Sequence, residues 1–188
     1  MARSYNLKRR AERQADTRLK IVEAAIELHG SIGPARTSLS MIADRAGVQR
    51  NTLYAHFPNE RSLGLACSGL FFERLSPPDP AAWGAGPGLM RAALCEIYDW
   101  YERAAPMLAS VLGDAEHHPP TRELLELHVS PMLARWRDAL ADGLSTGGRA
   151  LLKLALSFHT WRTLVQGAGL PGRDAAELMA RAVADAGT

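Results

Sequence analysis

Apolar residues recur at the three- to four-residue spacing of an α-helix along almost the whole chain, and no stretch shows the sustained alternation of a β-strand. The first apolar stripe consists of Ile21, Ala24, Ala25, Leu28 and Ile32. Asp16 or Thr17 can cap this first helix, and Gly33-Pro34 should end it, because proline cannot continue the hydrogen-bond ladder. The pattern predicts an all-α fold.

Two short helices are predicted directly after this first helix, with a glycine between them. Ser38 is a suitable N-cap for the second helix, and Gly47 supplies a tight turn after it. The third helix opens at Gln49 or Arg50 and ends before Pro58. Two helices joined in this way, with polar side chains on the outer face of the second, are typical of a helix-turn-helix that enters the major groove of DNA.

The rest of the chain is also predicted to be helical, after one interruption. Asn59 can cap a fourth helix that runs through about Leu75, and the Pro- and Gly-rich residues 76–88 cannot sustain a helix. Pro131 should kink or split the helix in which it lies, at a cost of about 3 kcal/mol. The later helical segments are expected at about 88–104, 106–115, 120–143, 147–167 and 173–186.

Composition indicates an ordinary globular protein with one large or two small domains. The 188 residues are 47% hydrophobic and 22% charged, and no apolar run approaches the ~20 residues that span a bilayer. The first residues do not have the pattern of a secretory signal, so a cytoplasmic location is expected and no membrane partner. Cys67 and Cys95 are interpreted as small buried hydrophobes in a reducing compartment, with a thiol sensor as the alternative.

Positive charge is concentrated in the N-terminal third of the chain. Residues 1–61 hold 11 Lys and Arg against 6 Asp and Glu, whereas residues 62–188 hold 11 against 14. This distribution is expected of a module that neutralises phosphates. Seven of the basic residues lie in the first twenty positions, which form either a solvated terminus or a contact with phosphate or the minor groove.

The sequence gives little sign of catalysis, nucleotide binding or metal binding. The His-Glu-x-x-His, phosphate-loop and Cys-x-x-Cys patterns are absent. Gly143-Leu144-Ser145-Thr146-Gly147 fits Gly-x-Ser-x-Gly in spacing, but no strand pattern precedes it, as the catalytic serine turn of that motif requires. His117-His118 precedes two prolines and is interpreted as an exposed loop rather than a metal site. We therefore expect no enzyme activity, no cofactor and no metal.

The segment from Thr37 to Leu63 resembles the signature of the TetR (tetracycline-repressor) family of regulators. The similarity is specific over about residues 16–65, and it includes Thr52-Leu53-Tyr54 and His56-Phe57-Pro58. It implies a helix-turn-helix at about 38–57 within a three-helix DNA-binding domain at 1–58. It also implies a larger helical bundle at 59–188 for ligand binding and dimerisation. Family membership implies a homodimeric regulator, usually a repressor, that a small molecule releases from a double-stranded DNA operator.

The outer face of the third helix carries the candidate DNA-binding residues. Arg50 can donate two hydrogen bonds to guanine, and Gln49 or Asn51 can pair with adenine. Thr52, Tyr54 and His56 suit phosphate contacts, as their counterparts do in the family; the alternative for Tyr54 and His56 is that they close the core of the small domain. The further candidates for contact with the DNA backbone are Ser38, Ser40 and Arg61.

Two features depart from the family pattern. The family commonly has a lysine shortly after the Phe-Pro pair, where this chain has Glu60 followed by Arg61. A carboxylate would repel phosphate, so either Arg61 takes over this contact or the contact is lost. The third helix also opens on larger side chains than is usual, which suggests a distinct operator sequence.

All four tryptophans lie in the C-terminal part of the chain, where aromatic residues at helical spacing form either core or a ligand pocket. The last two helical segments are rich in alanine and leucine, as the resemblance implies for a homodimer interface. A nucleoid-structuring DNA-binding protein without ligand control is the alternative function. The candidate pocket residues are Trp100, Tyr101, His128, Trp136, His159 and Trp161.

Overall fold

The computed structural model describes residues 2–186, with side chains from residue 8 onward. Within these residues every regular element is helical and no strand occurs, which confirms the predicted all-α fold. Short 3-10 turns lie at Pro34–Arg36 and Pro80–Ala82, and a π-helical turn lies at Arg162–Gly167. The α-helices are α1 (Ala2–Ile32), α2 (Leu39–Ala46), α3 (Arg50–His56), α4 (Glu60–Arg74), α5 (Leu89–Asp114), α6 (Pro119–Leu140), α7 (Thr146–Ala155), α8 (Phe158–Trp161) and α9 (Gly172–Asp185).

The chain forms two compact units. The N-terminal unit contains residues up to 74 together with 109–125, and the C-terminal unit contains 75–108 together with the residues from 126 onward. α4 packs against α1 within the N-terminal unit. The predicted domain boundary between residues 58 and 59 stays a prediction. None of the helices in the described part of the chain is both long and apolar enough to cross a membrane.

The core of the N-terminal unit follows the apolar stripes of the sequence. Ile21 and Ala25 on α1 are fully buried, and Leu63 on α4 is 1% exposed. Cys67 lies in the same core, and burial raises the pKa of its thiol to about 12. The thiol therefore stays protonated and behaves as the small hydrophobe that the sequence predicted. Cys95 is half-buried.

The start of the first helix was predicted wrongly. α1 begins at Ala2, not after Asp16 or Thr17. Residues 2–15 contain neither glycine nor proline and are rich in Ala, Leu, Lys, Arg, Glu and Gln, so helix propensity continues the helix without a cap. The basic residues of this segment are thus part of a helix.

Two other boundaries also differ from the prediction. α5 is a single helix through Pro106, where the sequence predicted a break. α6 continues through Pro131 without splitting, so a kink at Pro131 stays a prediction. Around Pro106, Ala104, Ala105 and Leu108 are buried, and their packing offsets the lost hydrogen bond. The segment predicted at 147–167 is instead divided, since α7 ends at Ala155 and Ser157 caps α8 by accepting a hydrogen bond from the backbone N–H of His159.

Candidate functional site

The turn between α2 and α3 is built as the sequence predicted. The Ser38 hydroxyl accepts a hydrogen bond from the backbone N–H of Met41 at 3.2 Å and so caps α2. Gly47 ends α2 with φ 67°, a left-handed conformation that strains most L side chains. The N–H of Val48 then bonds to the carbonyl of Ala43 at 2.9 Å. These contacts fix the angle at which the chain enters α3.

α3 depends on packing for its stability. It has seven residues, fewer than an isolated helix needs in water. Leu53 on its inner face and Phe57 directly after it are both 0% exposed. Ala43 on α2 is also 0% exposed, and its small side chain allows the close packing of α2 and α3. The buried anchors determine which side of α3 remains outside.

The opposite side of α3 presents the candidate DNA-binding residues to solvent. Gln49, Arg50 and Asn51 are exposed, and the Tyr54 side chain is 41% exposed, so Tyr54 does not close the core. Thr52, His56 and Ser40 are half-buried, whereas Ser38 is exposed and its hydroxyl is engaged in capping α2. The structure therefore brings the predicted base-contacting side chains together at the start of one exposed helix.

The start of α4 contacts charged and polar side chains within the N-terminal unit. Arg61 Nε donates to Glu123 Oε1 at 2.7 Å, and His118 Nε2 lies 3.4 Å from Glu60 Oε1. Asn59 caps α4 as predicted, accepting from the N–H of Ser62 at 2.8 Å. The pair of Arg61 and Glu123 is exposed and so contributes less than about 1 kcal/mol. A phosphate group would have to compete with Glu123 for Arg61. The sequence gave no sign of this pairing.

A histidine of α1 lies close to the same region. The pKa of His29 is lowered from 6.5 to about 4, mainly by burial and also by His118, while Asp114 acts in the opposite direction. His118 Nδ1 lies 2.7 Å from the hydroxyl of Thr121, which is 2% exposed, and its Nε2 faces Glu60. His29 is thus favoured in its neutral form by the fold.

This pKa predicts an acid-sensitive stability. The pKa of His29 is lower in the folded state than in the unfolded state. The free energy of unfolding is therefore highest above pH 6.5 and decreases as pH falls towards 4, because the unfolded state binds the proton more strongly. We expect the change to be about 2–3 kcal/mol. Urea denaturation at pH 7.5, 6 and 4.5 should show it in the wild type and a smaller change in His29→Gln. His117→Gln, at an exposed position, is the control, and equal pH dependence in wild type and His29→Gln would contradict the prediction.

The C-terminal unit contains a cluster of aromatic side chains, formed by four of the predicted aromatic residues and their neighbours. The Tyr101 ring lies 6.2 Å from Trp136, 6.2 Å from Trp161 and 5.5 Å from Phe158. The Trp100 and Trp136 rings are 5.7 Å apart. We call Trp100, Tyr101, Trp136, Phe158 and Trp161 the aromatic cluster.

Most polar atoms of the aromatic cluster are satisfied by backbone carbonyls. The Tyr101 hydroxyl donates to Leu156 at 2.6 Å, and the indole N–H groups of Trp100 and Trp136 donate to Leu75 and Pro78. Burial raises the pKa of Tyr101, which keeps the phenol protonated as a donor. The indole Nε1 of Trp161 is buried and has no hydrogen-bond partner among the described residues.

The two candidate histidines of this unit differ in exposure. His159 is exposed, with its ring centroid 6.1 Å from that of Phe158, and His128 is half-buried. Phe158 belongs to the cluster although it was not among the candidate pocket residues. It lies three residues before Trp161, so helical spacing within the predicted segment could have identified it.

A short exposed helix, anchored by two buried side chains and joined through a glycine turn to a capped helix, defines a helix-turn-helix DNA-binding domain. Residues 21–67 match the family model described as "Bacterial regulatory proteins, tetR family". The N-terminal helix-turn-helix domain therefore matches the TetR family, in agreement with the sequence resemblance.

Individual relatives support the same N-terminal domain. Over 57 residues the chain is 42% identical to the HTH-type transcriptional regulator TtgR of Pseudomonas putida, and equally to ArpR of the same species, which is described as a probable HTH-type transcriptional regulator. Each match covers 30% of this chain and 27% of the relative.

The fold as a whole is similar to a solved structure. The crystal structure of SCO7518 from Streptomyces coelicolor A3(2) aligns with a TM-score of 0.58 over 89% of this chain and 98% of that chain. The two sequences are 22% identical, so this similarity concerns the fold alone.

Proposed function

We propose that this chain is a homodimeric transcriptional repressor that binds a palindromic operator and is released from it by a small molecule. The observation that carries the proposal is the geometry of α3. Leu53 and Phe57 hold its inner side in the core, while Gln49, Arg50 and Asn51 face solvent. The N-terminal excess of positive charge supports attraction to DNA phosphates. The site of action is the cytoplasm.

Each α3 would enter the major groove with its first turn nearest the bases. Arg50 would donate to O6 and N7 of a guanine, and Gln49 or Asn51 would pair with adenine. The remaining candidates would bind the DNA backbone, which positions the protein without selecting sequence. These backbone contacts would come from Ser38, Ser40, Thr52, Tyr54, His56 and, when it leaves Glu123, Arg61.

Replacement of Arg50 tests this assignment. Arg50→Ala should weaken binding to the operator by about 1–3 kcal/mol and relax the base preference at one position per half-site. Competition assays with operators substituted at each position would measure both effects. Gln166→Ala, at an exposed position of the C-terminal unit, is the matched control. Equal weakening on all DNA sequences would make Arg50 a phosphate contact instead.

The exposed faces of α7 and α9 are proposed as the homodimer interface. The two helices pack against each other within the C-terminal unit. Leu154 on α7 is 54% exposed and Leu178 on α9 is 41% exposed. Burial of these apolar side chains against a partner would be favourable. A second copy of the same two helices would cover both leucines and place two α3 helices on successive half-sites.

The aromatic cluster is proposed as the place where the effector binds. Its rings offer apolar contact surface, and the buried Trp161 N–H lacks an acceptor among the described residues. A buried donor without a partner costs about 1–3 kcal/mol, which an acceptor atom of a ligand would recover. His159, whose ring lies near Phe158, and His128 are the candidate polar groups of this site. Binding would favour a conformation in which the two α3 helices no longer match the operator half-sites.

A nucleoid-structuring protein is the second candidate function. Such a protein would also use α3 and the positive charge of the N-terminal unit, but it would bind DNA of any sequence with similar affinity. The two functions differ in the specificity ratio, which is the affinity for an operator divided by the affinity for an unrelated duplex. For a regulator this ratio should be above about a thousandfold.

A further inference from the structure

Arg18 lies on α1, but its guanidinium contacts the end of α3. Nη1 donates a hydrogen bond to the backbone carbonyl of His56 at 3.2 Å. The central guanidinium carbon lies 4.1 Å from the centroid of the Phe57 ring. His56 is the last residue of α3 and Phe57 follows it directly, so both contacts are made at the C-terminal end of the helix proposed to enter DNA.

Both contacts are physically favourable at this place. The last carbonyls of a helix lack partners within the helix, and a cation at a helix C-terminus is stabilised by the helix dipole. Phe57 is 0% exposed as a residue, so the guanidinium covers a ring that is held rigidly in the core. A planar guanidinium can stack on a ring and donate to a carbonyl at the same time, whereas a lysine ammonium lacks this geometry.

We infer that Arg18 is a positioning residue, which sets the orientation of α3 from outside the helix-turn-helix. The inference rests on the proposed function, since it assumes that α3 contacts bases. Contacts of side chains with base edges depend on the angle of the helix in the groove, whereas phosphate attraction is more tolerant. Loss of the Arg18 contacts should therefore reduce discrimination between sequences more than it reduces binding to DNA in general.

The charge-conserving variant Arg18→Lys tests this role. We expect a fall of about tenfold in the ratio of operator affinity to affinity for an unrelated duplex of equal length. The salt dependence of binding to the unrelated duplex should stay unchanged, because the number of positive charges is the same. Arg18 is exposed, so the melting temperature should show that the variant remains folded. Titrations at several salt concentrations on both duplexes provide the binding readouts.

Arg36→Lys is the matched control. Arg36 Nε donates to the carbonyl of Ile32 at 2.6 Å and thus caps the end of α1 rather than α3. Its replacement should leave the specificity ratio unchanged. This control separates an effect on α3 from a general effect of removing an arginine that caps a helix.

Two further results would overturn the inference. An unchanged specificity ratio in Arg18→Lys would show that the contact with Phe57 and His56 does not orient α3. Arg18→Gln would identify a direct phosphate contact if it weakened both duplexes equally and reduced the salt slope by about one charge. Failure of the wild type to discriminate between sequences would instead contradict the proposed function, and it is measured in the same titration.

Discussion

Leu53→Ala is expected to abolish sequence-specific DNA binding, although residue 53 itself faces away from DNA. Leu53 is 0% exposed and is one of the two buried anchors of a helix of seven residues. Removal of a buried leucine side chain costs about 2–5 kcal/mol, which is a large share of the stability of a small domain. α3 should lose its fixed orientation first, because a helix of seven residues depends on tertiary packing for its stability. Urea denaturation and operator titration would measure the two effects.

Leu53→Met is the matched control for this prediction. It conserves most of the side-chain volume and should cost less than about 1.5 kcal/mol. We therefore expect Leu53→Met to retain operator binding and Leu53→Ala to lose it. Operator affinity of Leu53→Ala equal to that of the wild type would show that α3 does not contact the bases.

The double variant Leu154→Glu/Leu178→Glu is expected to convert the protein from dimer to monomer. Both leucines are exposed on helices that pack together, so charges there should leave each folded unit intact. At a dimer interface, however, the four carboxylates of two subunits would be buried or would repel one another. Operator binding should fall by about 10²–10⁴, because the second half-site would no longer be bound intramolecularly.

Sedimentation velocity and operator titration would test the interface. Leu127→Glu, which places the same charge at a leucine of α6 that is 47% exposed, is the matched control and should remain dimeric. A double variant that stays dimeric would contradict the proposed interface. A wild type that is monomeric at all concentrations and still binds its operator tightly would contradict the dimeric mechanism.

Local chemistry allowed much of the N-terminal unit to be predicted. The Ser38 cap, the left-handed Gly47 and the end of α3 before Pro58 each depend on residues close in sequence. The buried face of α1, with Ile21, Ala24 and Ala25, follows from helical spacing. The predicted end of α1 at Gly33-Pro34 is confirmed for the same reason.

Contacts between distant residues could not be predicted. The Asp114 carboxylate accepts a hydrogen bond from the N–H of Ala35 at 2.8 Å, and Arg61 pairs with Glu123; no periodicity signals either contact. Local rules also misjudged Pro106, because the tertiary packing around it outweighs the lost hydrogen bond. Arg18 was counted only as one basic residue among several, since its place over Phe57 requires the fold.

The most direct test of the account is to select bound duplexes from a random DNA pool and then footprint the protein on the selected sequence. We predict a palindrome with two half-sites about one helical turn, or ~34 Å, apart, and a specificity ratio above about a thousandfold. The guanine contacted by Arg50 should appear once in each half-site. Uniform protection of DNA with no enriched sequence would contradict the claim that α3 reads an operator.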